Sequence, residues 1–248
     1  MAKRYTLSSE LLAGDLPVQV VEREGQAPGA PLLIALHGLG GHKERMLPGL
    51  YEFARAGCRA VALDLRLHGE RAEAGVREAR LGADYLGTTA DIIEGTAQDV
   101  SRLLDHFGAD KAAVHGISLG GYITFAALAF EPRLWAASVA MGSPDWVGPL
   151  RRLGVGPGHP AYDRAVQLNP LDLLPFVLPV RPLLMLHGAL DEVVPPDGVI
   201  ALEQRLRPLY AAHPERLTLE LYPGQGHSYS DDMLRRSVAW AKKFLGDS

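Results

Sequence analysis

The chain has a single cysteine, Cys58, in 248 residues. No internal disulfide or CxxC site can be built from it, which excludes a disulfide scaffold and fits a reducing compartment. Its surroundings, AGCRAVALDL, read as a turn entering a buried strand, which assigns the thiol to packing. Long apolar runs are also missing. The strongest, FVLPVRPLLMLHG, is broken by Pro179, Arg181 and Pro182 and is too short to cross a bilayer, so no membrane association is expected. The opening MAKRYTLSSELLAGD has no apolar stretch behind its basic residues, unlike a secretory signal, so a cytoplasmic location is expected. Neither charge is in large excess: 25 Lys and Arg face 29 Asp and Glu, leaving no electrostatic footprint for nucleic acid. HExxH and paired metal-ligand spacings are absent, so no metal site is expected.

What remains is ordinary globular composition, 47% hydrophobic and 22% charged, in a chain long enough to bury a core without staples. Short apolar runs alternate with helix-like stretches, the pattern of parallel βαβ units. The spacing predicts strands at Pro17–Val21, Leu32–His37, Ala60–Leu65, Ala112–Gly116, Ala136–Met141, Leu183–His187 and Leu217–Tyr222. Helices are expected over Glu44–Ala56, Thr89–Phe107, Leu119–Phe130, Val199–Ala211 and Asp231–Phe244, the last preceded by a capping pattern in Ser228–Asp231. Arg71–Gly87 and Ser143–Pro179 fall outside the alternation and follow strand ends, where open α/β sheets hold ligands. Both are candidate pocket walls. Trp146, Leu150, Leu153, Leu173, Leu174 and Phe176 are expected to be shielded from water. No linker divides the chain, so one domain spanning 1–248 is expected, with 143–179 as an inserted lid or wall.

AAVHGISLGGY places Ser118 in G-x-S-x-G between an apolar strand and an apolar helix. A sharp strand-to-helix turn exposes the hydroxyl only if Gly116 and Gly120 let neighbouring backbone pass closely. A serine hydroxyl is a weak nucleophile, so such a site needs a histidine to take its proton and an acid to orient that histidine. Asp191 follows one later strand in LMLHGALDEVVPP, and His227 follows the next in LYPGQGHSYSDD. In a parallel sheet these strand ends share one edge. Glu192, Asp197 and Asp145 are alternative acids, whereas Asp231 and Asp232 are assigned to the last helix's N-terminus. Tyr122, Trp146, Leu150 and Phe176 are candidate pocket residues. His37, His115 and His187 read as structural, with His37 the one expected to touch the loop that follows it. His68 is expected to organise a turn with Asp64 and Arg71.

Five motifs in this order, HGLGG (His37–Gly41), DLRLHGER (Asp64–Arg71), GISLGG (Gly116–Gly121), GALDEVVP (Gly188–Pro195) and GQGH (Gly224–His227), span nearly the whole chain. In them the sequence resembles the α/β-hydrolases. More narrowly, it is similar to small serine esterases related to dienelactone hydrolases and to the catalytic domain of prolyl oligopeptidases. The resemblance implies an α/β-hydrolase fold, a mostly parallel central sheet flanked by helices. It favours Asp191 as the acid and implies backbone N–H groups of Leu39 and Leu119 as oxyanion donors. No metal or organic cofactor is implied. Serine stands where dienelactone hydrolases have cysteine, and 248 residues leave no room for the peptidases' screening domain.

The expected activity is therefore hydrolysis of small-molecule esters with small to medium acyl chains, through an acyl-enzyme, by a monomer or homodimer. A thioesterase, lactonase or small peptidase-like amidase on the same residues is an alternative, and a non-catalytic binding protein on the same fold is another. A dinucleotide-binding reading of LLIALHGLGGHKE fails because Lys43 stands where the third glycine belongs.

Overall fold

Strands that are apolar along both faces need cover on both, and the chain supplies it with two layers of helices around one sheet. A computed structural model describes residues 3–26, 29–178 and 180–245. Pro179, the end of the expected lid segment, lies outside the described residues, as do Met1 and Ala2. The elements run β1 (Tyr5–Leu12), β2 (Leu16–Arg23), β3 (Leu32–Leu36), α1 (Leu47–Arg55), β4 (Arg59–Leu63), α2 (Val76–Ala83), α3 (Tyr85–His106), β5 (Ala112–Ile117) and α4 (Leu119–Phe130). They continue with β6 (Leu134–Ala140), α5 (Val147–Arg152), α6 (Pro160–Leu168), α7 (Pro170–Val177), β7 (Leu183–Gly188), α8 (Asp197–Leu206), β8 (Leu217–Tyr222) and α9 (Asp231–Leu245).

The eight strands lie in the order β1-β2-β4-β3-β5-β6-β7-β8. β1 and β2 are antiparallel additions at one edge. The other six strands are mutually parallel, so the carboxyl ends of β3, β5, β7 and β8 open on one side. On one face, Leu50 and Phe53 of α1 pack with Ala241 and Leu245 of α9. On the other, α3, α4, α7 and α8 contribute Ile92, Leu103, Ile123, Phe125, Leu174 and Leu202 to the larger core. Helix α4, LGGYITFAALAF, is apolar around its circumference because it is covered on nearly every side. Ser230 Oγ accepts the Met233 N–H at 3.3 Å and caps α9.

Three departures from the sequence reading have plain causes. β1 is exposed along nearly its whole length, so no buried face left an apolar pattern to read. α2, inside the expected irregular stretch 71–87, is only eight residues long, largely polar and without a buried residue, so it was read as part of that stretch. The 143–179 segment folds as α5, α6 and α7, of which α7 sends Leu171 and Leu174 into the main core and is not part of a cover. The expectation that its apolar residues are all shielded is corrected at Leu153 and Phe176, which are 69% and 84% exposed.

A buried arginine closes the end of the sheet away from the open strand ends. Arg181 donates to the carbonyls of Leu128, Glu131, Leu134 and Val177 at 2.7–3.3 Å, and Tyr210 Oη donates to the carbonyls of Leu178 and Arg181. Arg181→Met keeps the apolar stem but strands buried acceptors, and a loss of roughly 3–5 kcal/mol is expected from the cost of leaving such groups unpaired. Urea unfolding of the variant checks this; a change within experimental error would mean that water replaces the guanidinium.

Candidate active site

Ser118 sits where β5 turns into α4 with its backbone at φ +55°, ψ −116°, a conformation that costs a non-glycine residue on the order of 1–3 kcal/mol. The surrounding structure holds it there. Ser118 N–H donates to Ala140 O of β6 at 2.8 Å, and Ser118 O accepts from Gly121 N at 2.7 Å. A Cβ on Gly116 would collide with the Gly120 carbonyl, and one on Gly120 would collide with the carbonyl of Leu36. The turn therefore exists only with both glycines present.

His227 lies on the loop after β8, with Nε2 2.9 Å from Ser118 Oγ. Its Nδ1 is 2.7 Å from Asp191 Oδ2 on the loop after β7. Asp191 is buried, and its other oxygen accepts the N–H groups of Val193 and Val194 at 3.0 and 2.9 Å. Both carboxylate oxygens are thus engaged, which fixes the plane offered to the imidazole. The two loops are stapled together by Ala189 N–H to Tyr222 O and Leu190 N–H to Gln225 O. Gly188 makes this approach possible, since a Cβ there would strike the carbonyls of Gln225 and Gly226. Below them, Tyr229 Oη pairs with His115 Nε2 at 3.0 Å, and His115 Nδ1 with Ser138 Oγ at 2.8 Å, tying the His227 loop to β5 and β6.

The alternative acids are occupied elsewhere or face away. Asp145 Oδ1 accepts from Val147 and Gly148 N–H at the start of α5, Asp197 begins α8, and Glu192 is exposed. His187 Nε2 donates to Val194 O at 2.7 Å and lies 3.4 Å from Asp191 Oδ2, so it braces the acid loop.

His37 Nδ1 donates to Gly38 O at 2.8 Å, and Gly41 N–H donates to the same carbonyl at 3.0 Å. The carbonyl of Gly38 and the N–H of Leu39 point opposite ways from one trans peptide plane, so pinning the first aims the second. Gly38 is close enough that a Cβ would touch Ser118 Cβ at 3.4 Å. Leu65 N–H donates to His37 Nε2, fixing the neutral tautomer. The DLRLHGER turn is organised around Asp64, whose carboxylate accepts from Lys43 N, Lys43 Nζ and Glu70 N. Arg71 reaches the Asp64 carbonyl, but His68 bonds Arg66 O instead of Asp64, which corrects the expected three-residue arrangement. Cys58 is buried, and burial pushes its thiol up to about 12, consistent with packing.

A cavity of about 300 Å³ opens onto Ser118. Leu39, Leu119, Tyr122, Trp146 and Leu150 line it; Phe176 does not, because it projects from α7 into solvent. Leu86 falls at the end of the expected wall 71–87, but sequence reasoning missed the rest of the α3 wall, Thr89, Ala90 and Ile93, although the spacing of three and four residues from Leu86 marks one helix face. It also missed Val193 and Val194, two and three residues after Asp191. Among the described residues, no group of three His, Cys, Asp or Glu side chains is arranged to hold a metal ion, and no helix is long and apolar enough to cross a membrane.

The mostly parallel eight-stranded sheet between helical layers, with a serine at the turn after its central strand, defines an α/β-hydrolase, and the protein is a hydrolase of that superfamily. Residues 53–248 match the prolyl oligopeptidase family, and the chain belongs to it. It is 26% identical to YitV of Bacillus subtilis (strain 168), a protein with a provisional esterase name, across 96% of this chain and 99% of that one. The crystal structure of TT1662 from Thermus thermophilus superposes with a TM-score of 0.76 at 27% identity, covering 99% of this chain and 100% of that one. A cold-adapted esterase from an Arctic intertidal metagenomic library shares the fold, with a TM-score of 0.66 at 19% identity over 98% and 94% of the two chains.

Burial holds His37 and His115 down at about 4, against an ordinary value of 6.5. Between pH 4 and 6.5 the unfolded chain binds protons at these sites and the folded chain does not, so stability falls as pH is lowered through that window. Each histidine contributes up to about 1.4 kcal/mol per pH unit there. Denaturant unfolding of wild type and His37→Asn at pH 4.5, 5.5 and 6.5 should show a slope smaller by about one proton in the variant. Equal slopes would mean that His37 titrates in the fold as it does in water.

Proposed function

We propose that the protein is a serine-dependent carboxylic ester hydrolase that works through an acyl-enzyme. The observation that carries this reading is the continuous hydrogen-bonded chain from Ser118 Oγ through His227 to Asp191 at 2.9 and 2.7 Å. Ser118 Oγ attacks the ester carbonyl carbon as its proton passes to His227 Nε2, and the carbonyl oxygen becomes an oxyanion. The N–H groups of Leu39 and Leu119 receive that charge, a contribution of about 3 kcal/mol per donor in comparable sites. Collapse breaks the bond to the alcohol oxygen, which leaves with the proton from His227. Water then attacks the acyl-serine, gives a proton to His227, and the proton returns to Ser118 Oγ as the carboxylic acid departs. Asp191 holds Nδ1–H and balances the imidazolium in both halves.

A small to medium aliphatic acyl chain is the substrate this cavity suits. Its walls near Ser118 are Leu39, Leu119, Trp146, Leu150 and Val194, with few polar groups to pair a sugar or phosphate. The esterase name of the Bacillus subtilis relative agrees with this reading.

Hydrolysis of p-nitrophenyl esters from acetate to palmitate is expected to peak at short or medium chains in the wild type and to vanish in Ser118→Ala. Asp191→Asn should lower kcat by about a thousandfold or more with little change in KM, because the amide no longer enforces the tautomer. Undiminished activity in Ser118→Ala would overturn the nucleophile assignment. Cleavage of thioesters, lactones or amides but not simple esters would keep the mechanism and move the substrate class.

A further inference from the structure

Two cavities lie side by side under α6. The first opens onto Ser118, and the second, about 310 Å³, is lined by Arg66, Arg80, Asp91 and Gln98. Ile92, Glu94 and Arg164 line both, so these three side chains are the partition between them. Arg164 of α6 donates from Nε to Glu94 Oε1 at 2.6 Å and from Nη1 to Asp91 Oδ1 at 2.9 Å. Asp91 and Glu94 stand three residues apart on α3 and so face the same way. Arg80 of α2 completes the row by donating to Asp91 Oδ2 at 3.0 Å. The near chamber is mostly apolar and the far one is charged.

We infer that the Arg164–Glu94 ion pair is the specificity gate of this site: it ends the run of an acyl chain that starts at Ser118 and thereby sets the longest chain accepted. The inference rests on the ester hydrolase reading and names the residues that limit its substrate. Each methylene laid along the apolar wall strengthens binding about fourfold. At the partition that gain stops. A hydrocarbon going further must strip water from an ion pair that is only partly covered, Arg164 being 37% and Glu94 24% exposed, and it offers neither charge a partner in return. Because Arg164 belongs to α6 and Glu94 to α3, the same contact also holds α6 against α3.

The limit can be read without turnover. In a Ser118→Ala background, titration with n-alkanols from butanol to decanol should show affinity rising about fourfold per carbon and then levelling off. With Glu94→Gln and Arg164→Met added, the plateau should move out by at least two carbons and decanol should bind at least tenfold tighter, butanol staying within twofold. Glu94→Gln alone, nearly isosteric, should shift it in the same direction and serves if the triple variant is poorly folded. Arg80→Met, which touches only the far chamber, should leave the plateau in place. An unmoved plateau, or an equal displacement by Arg80→Met, would overturn the gate. The p-nitrophenyl series on proteins that retain Ser118 separates the two ideas. Ester hydrolysis with an unmoved plateau rejects the gate alone, while a moved plateau without hydrolysis of any ester rejects the esterase reading and leaves the pair only as the limit on an apolar chain bound in this cavity.

Discussion

Everything at the site depends on one backbone constraint, the left-handed φ of Ser118 between a buried strand and a buried helix. The turn lifts the hydroxyl off the sheet edge, but only because β3, β5 and α4 approach one another more closely than side chains allow. Gly116 and Gly120 give up their Cβ atoms to the α4 backbone and to the Leu36 carbonyl. Gly121 and Gly142 do the same for the contact between α4 and the end of β6. The local strain is met by the hydrogen bond that Ser118 N–H donates to Ala140 O of β6 and by a core that closes around α4, so rigidity here comes from packing and not from local preference.

A second tier of buried polar groups turns this scaffold into a site. Histidines kept neutral by burial act as fixed hydrogen-bonding struts: His37 under the Leu39 loop, His187 against the Asp191 loop, His115 beneath the His227 loop. Each stands at or near the carboxyl end of a parallel strand, with the loop it braces directly above. Neutrality matters because an imidazolium could not accept from Leu65 N–H or balance Asp191 without competing for it. Above them the walls come from α3, α5, α6 and the Val193–Val194 turn, joined by side chains and not by the sheet. α5 and α6 meet through a small apolar cluster, Val147, Leu150, Tyr162 and Ala165, and α6 is joined to α3 by Arg164 on Asp91 and Glu94.

The sequence by itself determined the sheet and its site-bearing turns. β3, β5 and β7 were legible because buried residues fill both faces, β8 because Leu217, Leu219 and Leu221 alternate with polar residues, and Ser118, Asp191 and His227 because glycines punctuate the loops that hold them. β1 and α2 were not legible: neither buries a face, and α2 is only eight residues long and largely polar. Tertiary structure alone decided that Phe176 points to water while Leu174, two residues earlier, is in the core, because α7 packs on one side only. It alone decided that Lys43 is buried on Asp64 and that Arg164 of α6 meets Glu94 of α3, seventy residues away. Local pattern records how much surface a segment must hide. Which distant side chain supplies the cover, or closes the far end of a cavity, depends on how the helices dock, and that is settled only in the folded chain.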